Sequence, residues 1–372
     1  MSKKGLLVIY SPQHLIQFIW YYCTYANGKK WDALCLPNCL GAKKTKEFCE
    51  KSGIFEEVYY NDKFFLESSL KERAVQFSKM LGAFCVGKKQ QYIKRFLSEY
   101  VNLDLYDEIN VLSDFGIISS AFVGLSDEKK IVIMEDGIAD YNKRTFKNIY
   151  RKKPNTVNIE GFVLSLLGYA NVAYFYPLKA NSNCIKFSSR PNKMKYVNYK
   201  SIRQLYDYSN TNMDLYKRII KNTYGDILDS PAVRDSDTIL FSTPISDYTD
   251  KPEKYSARLE KHIAESMSSL LLKKHPRDKA EYSFEDKDFF QIPQTIPSEA
   301  LFPCIINKKL VFADLSSILL NIPKNADVEC LYFDGLNAES LSGNTYEKYP
   351  DFERFKDKLS FFDLDNVQIT RL

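Results

Sequence analysis

Histidine is scarce in this chain, three residues in 372, and tryptophan scarcer at two. The eight cysteines (Cys23, Cys35, Cys39, Cys49, Cys85, Cys184, Cys304, Cys330) form no Cys-x-x-Cys pair and have no histidine cluster beside them. Structural zinc and a disulfide framework are therefore disfavoured, and a reducing cytoplasm is the natural setting. A strong charge of one sign is also missing: the net charge of +5 is too diffuse to argue nucleic-acid binding, although Arg151-Lys-Lys153 suits a contact with an anionic membrane surface. No apolar run is long and unbroken. Gly5 to Gly28 carries no charge, but Ser11-Pro-Gln-His14 and Gln17 interrupt it; Gly161 to Leu178 is broken by Gly168, Asn171 and Pro177. A strand followed by a helix in the first, and a helix followed by a strand in the second, fit better than a membrane span.

What is present is a soluble globular composition, 45% hydrophobic and 27% charged, rich in tyrosine (26) and phenylalanine (25) and long enough for two domains. The first half alternates strand and helix. Strands are expected at Leu6–Tyr10, Trp31–Leu36, Val58–Tyr60, Glu108–Leu112 and Lys130–Met134. Helices are expected after the first strand, with Leu15, Ile16, Ile19 and Trp20 on one face, over about 64–100, and at Ile117–Val123. Residues 181–235 read as a connection, with weak strands and a polar helical stretch Ser201–Ile227. A second alternating unit follows: strand Thr238–Ser242, helix about Pro252–Ser268, strands Leu270–Leu272, Leu310–Ala313 and Val328–Phe333. This is the pattern of an α/β chain with mainly parallel sheets, divided as 1–180, 181–235 and 236–372, and two such units would face each other across a cleft.

Four features sit where strands end. Leu270-Leu-Leu-Lys-Lys-His-Pro-Arg-Asp278 places Lys273, Lys274, His275 and Arg277 on a loop, because Pro276 stops both strand and helix. At the carboxyl edge of an open sheet this is an anion-attracting mouth, and an imidazole there can exchange a proton near neutrality. A surface His-Pro turn with solvated lysines would carry the same letters. Met134-Glu-Asp-Gly137 closes a strand with paired carboxylates and a turn-permitting glycine. Glu299 begins a short helix, where it suits a ribose diol or simply a first helical turn. Asp314-Leu-Ser-Ser317 precedes Ile318-Leu-Leu320, and Ser316 and Ser317 offer hydroxyls and backbone N–H groups to a phosphate, or a plain N-cap.

In this order, Glu135-Asp136-Gly137, His275-Pro276, Glu299 and Ser316-Ser317 resemble the bacterial sialyltransferases and polysialyltransferases, most closely glycosyltransferase family 52. Asp107-Glu-Ile-Asn-Val-Leu-Ser113 and Thr238-Ile-Leu-Phe-Ser242 add to the likeness. The resemblance implies a GT-B fold of two Rossmann-like domains facing an interdomain cleft, with CMP-sialic acid as donor on the C-terminal domain. The acceptor glycan, ending in galactose or sialic acid, would lie on the N-terminal domain, and the last segment would return to that domain. It implies inversion at the transferred sugar, no cofactor and no metal, a cytoplasmic enzyme in peripheral contact with the inner membrane, and leaves monomer or homodimer open. His275 would serve the leaving phosphate, with Lys274, Pro276, Glu299, Ser316 and Ser317 on the donor side. Gln13, His14 and Gly137 would line the acceptor side; His262, in a charged helix, reads as solvated. The base is Glu135 by analogy, with Asp136 and Asp247 as alternatives. Two other classes share some of these features: a cell-envelope transferase using a CDP-activated donor, and a catalytically silent glycan-binding protein with aromatic stacking platforms.

Overall fold

The computed structural model describes residues 4–36, 42–60, 75, 78–79, 82–83, 86–112, 117–126, 128–135, 183–188, 198–244, 252–266, 269–284, 289–305, 307–322, 326–334 and 352–372. The chain divides into two compact units, Met1–Thr223 and Tyr224–Leu372. Among the described residues the first holds a sheet of β1 (Lys4–Ile9), β2 (Trp31–Cys35), β3 (Phe55–Tyr60), β4 (Tyr106–Leu112), β5 (Lys130–Met134), β6 (Cys184–Ser188) and β7 (Asn198–Ser201). The order is β3-β2-β1-β4-β5-β6-β7, and every pairing is parallel. The second unit repeats the plan with β8 (Thr238–Phe241), β9 (Leu270–Lys273), β10 (Phe289–Ile292), β11 (Lys309–Phe312), β12 (Asp327–Tyr332) and β13 (Gln368–Arg371). Its order is β10-β9-β8-β11-β12-β13, again all parallel. Both sheets are Rossmann-like, with the strand progression reversing beside β1 and beside β8.

Burial on both faces explains the apolar strands. In the first unit Leu6, Val8, Ile109, Val111, Ile131 and Ile133 meet Ile93, Phe96 and Leu97 of the helix Lys89–Leu97, and Ile118, Ala121 and Phe122 of the helix Ile117–Val123. Each such side chain contributes about 1.5–3 kcal/mol through burial. Helix α1 (Pro12–Tyr21) is buried from His14 to Tyr21, and its Phe18 and Tyr21 pack on the Trp31 ring. That ring also explains Gly5, where a Cβ atom would lie 2.4 Å from it. In the second unit Leu240, Leu270, Leu272, Val311 and Leu331 form a core with Tyr255, Leu259 and Ile263 of the helix Pro252–Ser266.

Buried carboxylates in the amino-terminal halves of the strands are tied down. Asp32 accepts from Tyr106 Oη (2.9 Å), Lys4 Nζ (3.2 Å) and the Glu57 N–H (3.2 Å). Glu108 accepts from Tyr21 Oη (2.5 Å), Lys130 Nζ (3.0 Å) and Lys29 Nζ (3.1 Å). Glu329 has Lys309 Nζ at 2.7 Å, His262 Nε2 at 3.3 Å and the Thr370 hydroxyl. His262 is therefore a carboxylate partner rather than a solvated surface group.

Three further expectations change. Residues 181–235 are not a plain connection: β6 and β7 extend the first sheet, and the first unit runs to Thr223. Within Ser201–Ile227 the α-helix is confined to Met213–Tyr224, because Asp207 turns the chain by accepting from the Ser209 N–H and Asn212 Oδ1 caps the Leu215 N–H. The last segment stays in the second unit, where β13 pairs with β12. Among the described residues no helix is long and apolar enough to cross a membrane, and Gly5 to Gly28 is β1 followed by α1 and one wider π-turn. Arg151–Lys153 and Gly161–Leu178 lie outside the described residues.

Candidate active site

Where an open parallel sheet reverses its strand progression, the loops at the carboxyl ends separate and leave room for a ligand. In the second sheet these loops follow β8, β9 and β11. They carry Ser242, the segment Lys274–Asp278, and Asp314–Ser317.

His275 is half-buried and held at three atoms. Its N–H donates to Ser242 Oγ (3.1 Å), its Nδ1 accepts from the Arg277 N–H (3.1 Å), and its carbonyl accepts from Gln294 Nε2 (3.2 Å). A ring nitrogen that accepts from an N–H carries no proton, so the imidazole proton is on Nε2. Pro276 is exposed and occupies the second position of a β-turn closed by the Asp278 N–H on the His275 carbonyl (2.9 Å). Asp278 is buried. Its carboxylate accepts from the Ser242 hydroxyl, from Tyr282 Oη (2.8 Å) and from the Ala280 N–H (3.0 Å). Burial and the adjacent Asp278 push the Tyr282 phenol upward, which keeps it a donor.

The lysines divide differently from expectation. Lys274 donates to the Ala280 carbonyl (2.6 Å) and lies 5.8 Å from the centroid of the Tyr282 ring, so it braces the loop. Lys273 ends β9 and is buried, donating to the Lys274 carbonyl (2.8 Å); burial lowers its pKa to about 8 against the opposing charge of Glu299. Glu299 is the second residue of the 3₁₀ segment Ser298–Cys304, only 2% exposed, and has Asn321 Nδ2 at 3.5 Å. Ser316 is the N-cap of the 3₁₀ segment Ser317–Asn321 and accepts from the Ile318 N–H (3.4 Å).

In the first unit Glu135 directly follows β5 and is fully buried; its carbonyl accepts from Gln17 Nε2 of α1 (3.2 Å). Gln13 is half-buried in the first turn of α1. His14 accepts at Nδ1 from the Tyr10 N–H (3.1 Å), and burial holds its pKa well below the usual imidazole value, so the ring is neutral. Its Nε2 is buried without a hydrogen-bond partner, as are Gln17 Oε1 and both side-chain atoms of Asn110. Asp136, Gly137 and Asp247 lie outside the described residues. Among the described residues no group of three or more His, Cys, Asp or Glu side chains converges as metal ligands would.

Sequence reasoning missed Ser242, Asp278 and Gln294, and it put Lys273 on the loop where the structure has it buried at the end of β9. Asp278 had a local signal, since an aspartate two residues before a free N–H in a turn is a common side-chain acceptor. Lys273 had another: alternation along β9 places it with Leu271, on the face opposite Leu270 and Leu272.

Two all-parallel Rossmann-like units make this an α/β chain with the GT-B fold. Residues 44–334 match glycosyltransferase family 52, the greater part of the 372, and the protein belongs to that family. An uncharacterized protein of Haemophilus influenzae (strain Rd) is 27% identical over 200 residues, 52% of this chain and 59% of the relative. The match thus spans less than two thirds of that curated relative. Among solved structures, UDP-GlcNAc 2-epimerase from Methanocaldococcus jannaschii is similar with a TM-score of 0.49 at 10% identity, covering 99% of this chain and 89% of that one. The glycosyltransferase SnogD from Streptomyces nogalater is similar with a TM-score of 0.44 at 11% identity, covering 100% and 88%.

Proposed function

We propose that the protein is an inverting sialyltransferase that moves sialic acid from CMP-sialic acid to a terminal sugar hydroxyl of a bacterial cell-surface glycan, lipooligosaccharide or capsule, without a metal cofactor. Membership of family 52 supports the transferase class. The observation that carries the site assignment is His275, whose ring proton stands on Nε2 in a loop beside the sheet's reversal point.

In the proposed step the acceptor oxygen forms its bond to the anomeric carbon as the bond from that carbon to the phosphate oxygen of CMP breaks. A carboxylate takes the acceptor hydroxyl proton. The departing group is a phosphate monoester with a second pKa of about 6, so near neutrality it needs charge stabilisation more than full protonation. His275 Nε2–H would donate to it, with Lys273, Lys274 and the Ser316 and Ser317 groups adding positive potential and N–H donors, and Glu299 would serve the ribose. Glu135 is the proposed base, Asp136 and Asp247 the alternatives; Gln13, His14 and Gly137 are assigned to the acceptor. The enzyme would work in the cytoplasm, in peripheral contact with the inner membrane face.

The test is CMP release from CMP-sialic acid, first alone and then with a glycan array, in excess EDTA. Slow release without acceptor, faster transfer to particular glycans and full activity in EDTA are expected. No release from CMP-sialic acid sinks the donor assignment, and loss in EDTA restored by Mg²⁺ or Mn²⁺ sinks metal independence.

A further inference from the structure

We propose that Asp278, acting through Ser242, is the positioning residue that fixes the Nε2–H tautomer and the orientation of His275. This rests on the reading of His275 as the group that meets the leaving phosphate, and it adds a residue to that site.

The polarity of the network runs one way. An ionised carboxylate only accepts, and Asp278 takes the single proton of the Ser242 hydroxyl. Ser242 Oγ is then left to accept from the His275 N–H at 3.1 Å, with the Tyr282 hydroxyl also beside it. The Asp278 N–H closes the turn on the His275 carbonyl (2.9 Å), and Gln294 Nε2 bridges that carbonyl (3.2 Å) and the Asp278 carbonyl (3.0 Å). Within a turn so held, the Arg277 N–H lies 3.1 Å from His275 Nδ1. A proton on Nδ1 would set two N–H groups against each other at that distance, which excludes the other tautomer. Tyr282 Oη (2.8 Å) and the Ala280 N–H (3.0 Å) complete the acceptor capacity used on Asp278, and Asp278 is only 3% exposed. A buried carboxylate with three donors, one turn away from the imidazole, costs too much desolvation to serve a solvated surface turn. Its hydrogen bonds all end on the segment that carries His275 or on the strand end beneath it.

The chain has only three histidines, so the imidazole nitrogens can be followed individually by ¹⁵N NMR, with His275 identified by its loss in His275→Ala. In the wild type at pH 8 His275 is expected to show an unprotonated Nδ1 and a protonated Nε2. In Ser242→Ala, checked for an unchanged melting temperature, the two shifts should move toward each other as tautomers mix, and Ser242→Thr should restore the wild-type pattern. Asp278→Asn, which keeps the shape but reverses polarity at one oxygen, should do the same if it folds. In parallel, kcat for CMP release should fall by about 10²-fold in Ser242→Ala, as expected for a mispositioned group, with donor KM within about threefold. An unchanged His275 ring spectrum in folded Ser242→Ala overturns the proposal, whatever the rate. If the tautomers mix in the variants while the wild type releases no CMP from CMP-sialic acid, the positioning role stands and the donor assignment falls.

Discussion

At the carboxyl edge of the second sheet the polar groups are wired together, Asp278 to Ser242, Ser242 to His275, His275 to Arg277. At the same edge of the first sheet His14 Nε2, Gln17 Oε1 and the Asn110 amide are buried without hydrogen-bond partners. The strand order of the second sheet repeats that of the first over six strands, so the difference lies in the side chains: the network sits on the loops after β8 and β9, the unpartnered atoms on α1 and β4. A completed network suits a site that must hold one rigid anionic group in one place, since preorganised donors need no rearrangement during reaction. Unspent donors and acceptors suit a site that finds its partners on a polyhydroxylated ligand, because leaving a buried polar group unsatisfied costs about 1–3 kcal/mol. This contrast is in keeping with the proposed function, in which the second unit handles the donor and the first the acceptor.

The largest expected effects separate the two units by chemical step. His275→Ala should lower kcat for CMP release, with and without acceptor, by roughly the 10²–10⁴-fold of a lost catalytic group, and leave the melting temperature in place. Glu135→Gln should suppress transfer by a similar factor and leave CMP affinity nearly unchanged, since a base acts on the acceptor hydroxyl. Transfer, CMP binding and melting temperature measured side by side for Glu135→Gln and Asp247→Asn decide between the units. If Asp247→Asn abolishes transfer and Glu135→Gln does not, the base belongs to the second unit and the contrast between the edges loses its meaning. If Glu135→Gln lowers the melting temperature and the folded fraction keeps its activity, Glu135 is a structural acid.

Much of the scaffold was legible before the structure. Lys130–Met134 and Ile117–Val123 stand where the apolar pattern put them, and most other expected strands differ by one or two residues at an end. Those segments are buried on both faces, and hydrophobic runs bounded by breakers report that directly. The strands that escaped owe their pairing to other segments. β10 shows Phe289, Phe290 and Gln291 to solvent and is a strand because β9 pairs with it; β13 is one because β12 does. Of the candidate site, single letters mark His275-Pro276 and Glu135 and nothing more. The hydrogen bonds around His275 are not legible that way, because Ser242 reaches Asp278 across 36 residues, and Gln294 reaches the His275 carbonyl across 19. His262 was misread for the same reason: its partner Glu329 lies on a strand far along the chain.

A middle-sized effect tests whether the second unit's order extends to its amino-terminal side. Burial raises the pKa of Glu329, but His262, Lys309 and Thr370 outweigh it and bring it from 4.5 down to about 2. A depressed carboxylate lends stability that is fully present above its unfolded value, so this share should disappear as the pH falls from about 4.5 toward 2. Glu329→Gln should cost about 3 kcal/mol near neutrality, the low end for a broken buried pair, because Lys309 is one third exposed and can be hydrated. The variant should also lose less stability than the wild type across that acid window. Parallel denaturation curves for the two proteins would contradict the assignment.

The smallest effect bears on the first unit alone. His14→Leu removes the hydrogen bond from the Tyr10 N–H, worth about 1 kcal/mol, and removes the unpartnered Nε2–H along with it. The Tyr10 N–H becomes the new orphan, while leucine adds apolar burial, so stability should change by no more than about 1 kcal/mol. If the Nε2–H is kept for an acceptor hydroxyl, its loss should raise acceptor KM by about tenfold, the equivalent of one hydrogen bond, with donor KM within about twofold. Because burial keeps His14 neutral well below the usual imidazole range, the wild-type acceptor KM should show no step from this residue between pH 6 and 8. A loss of several kcal/mol with acceptor KM unchanged would make His14 a core residue. The unpartnered atoms at the first sheet's edge would then be a packing feature, and acceptor recognition would have to be sought elsewhere in the chain.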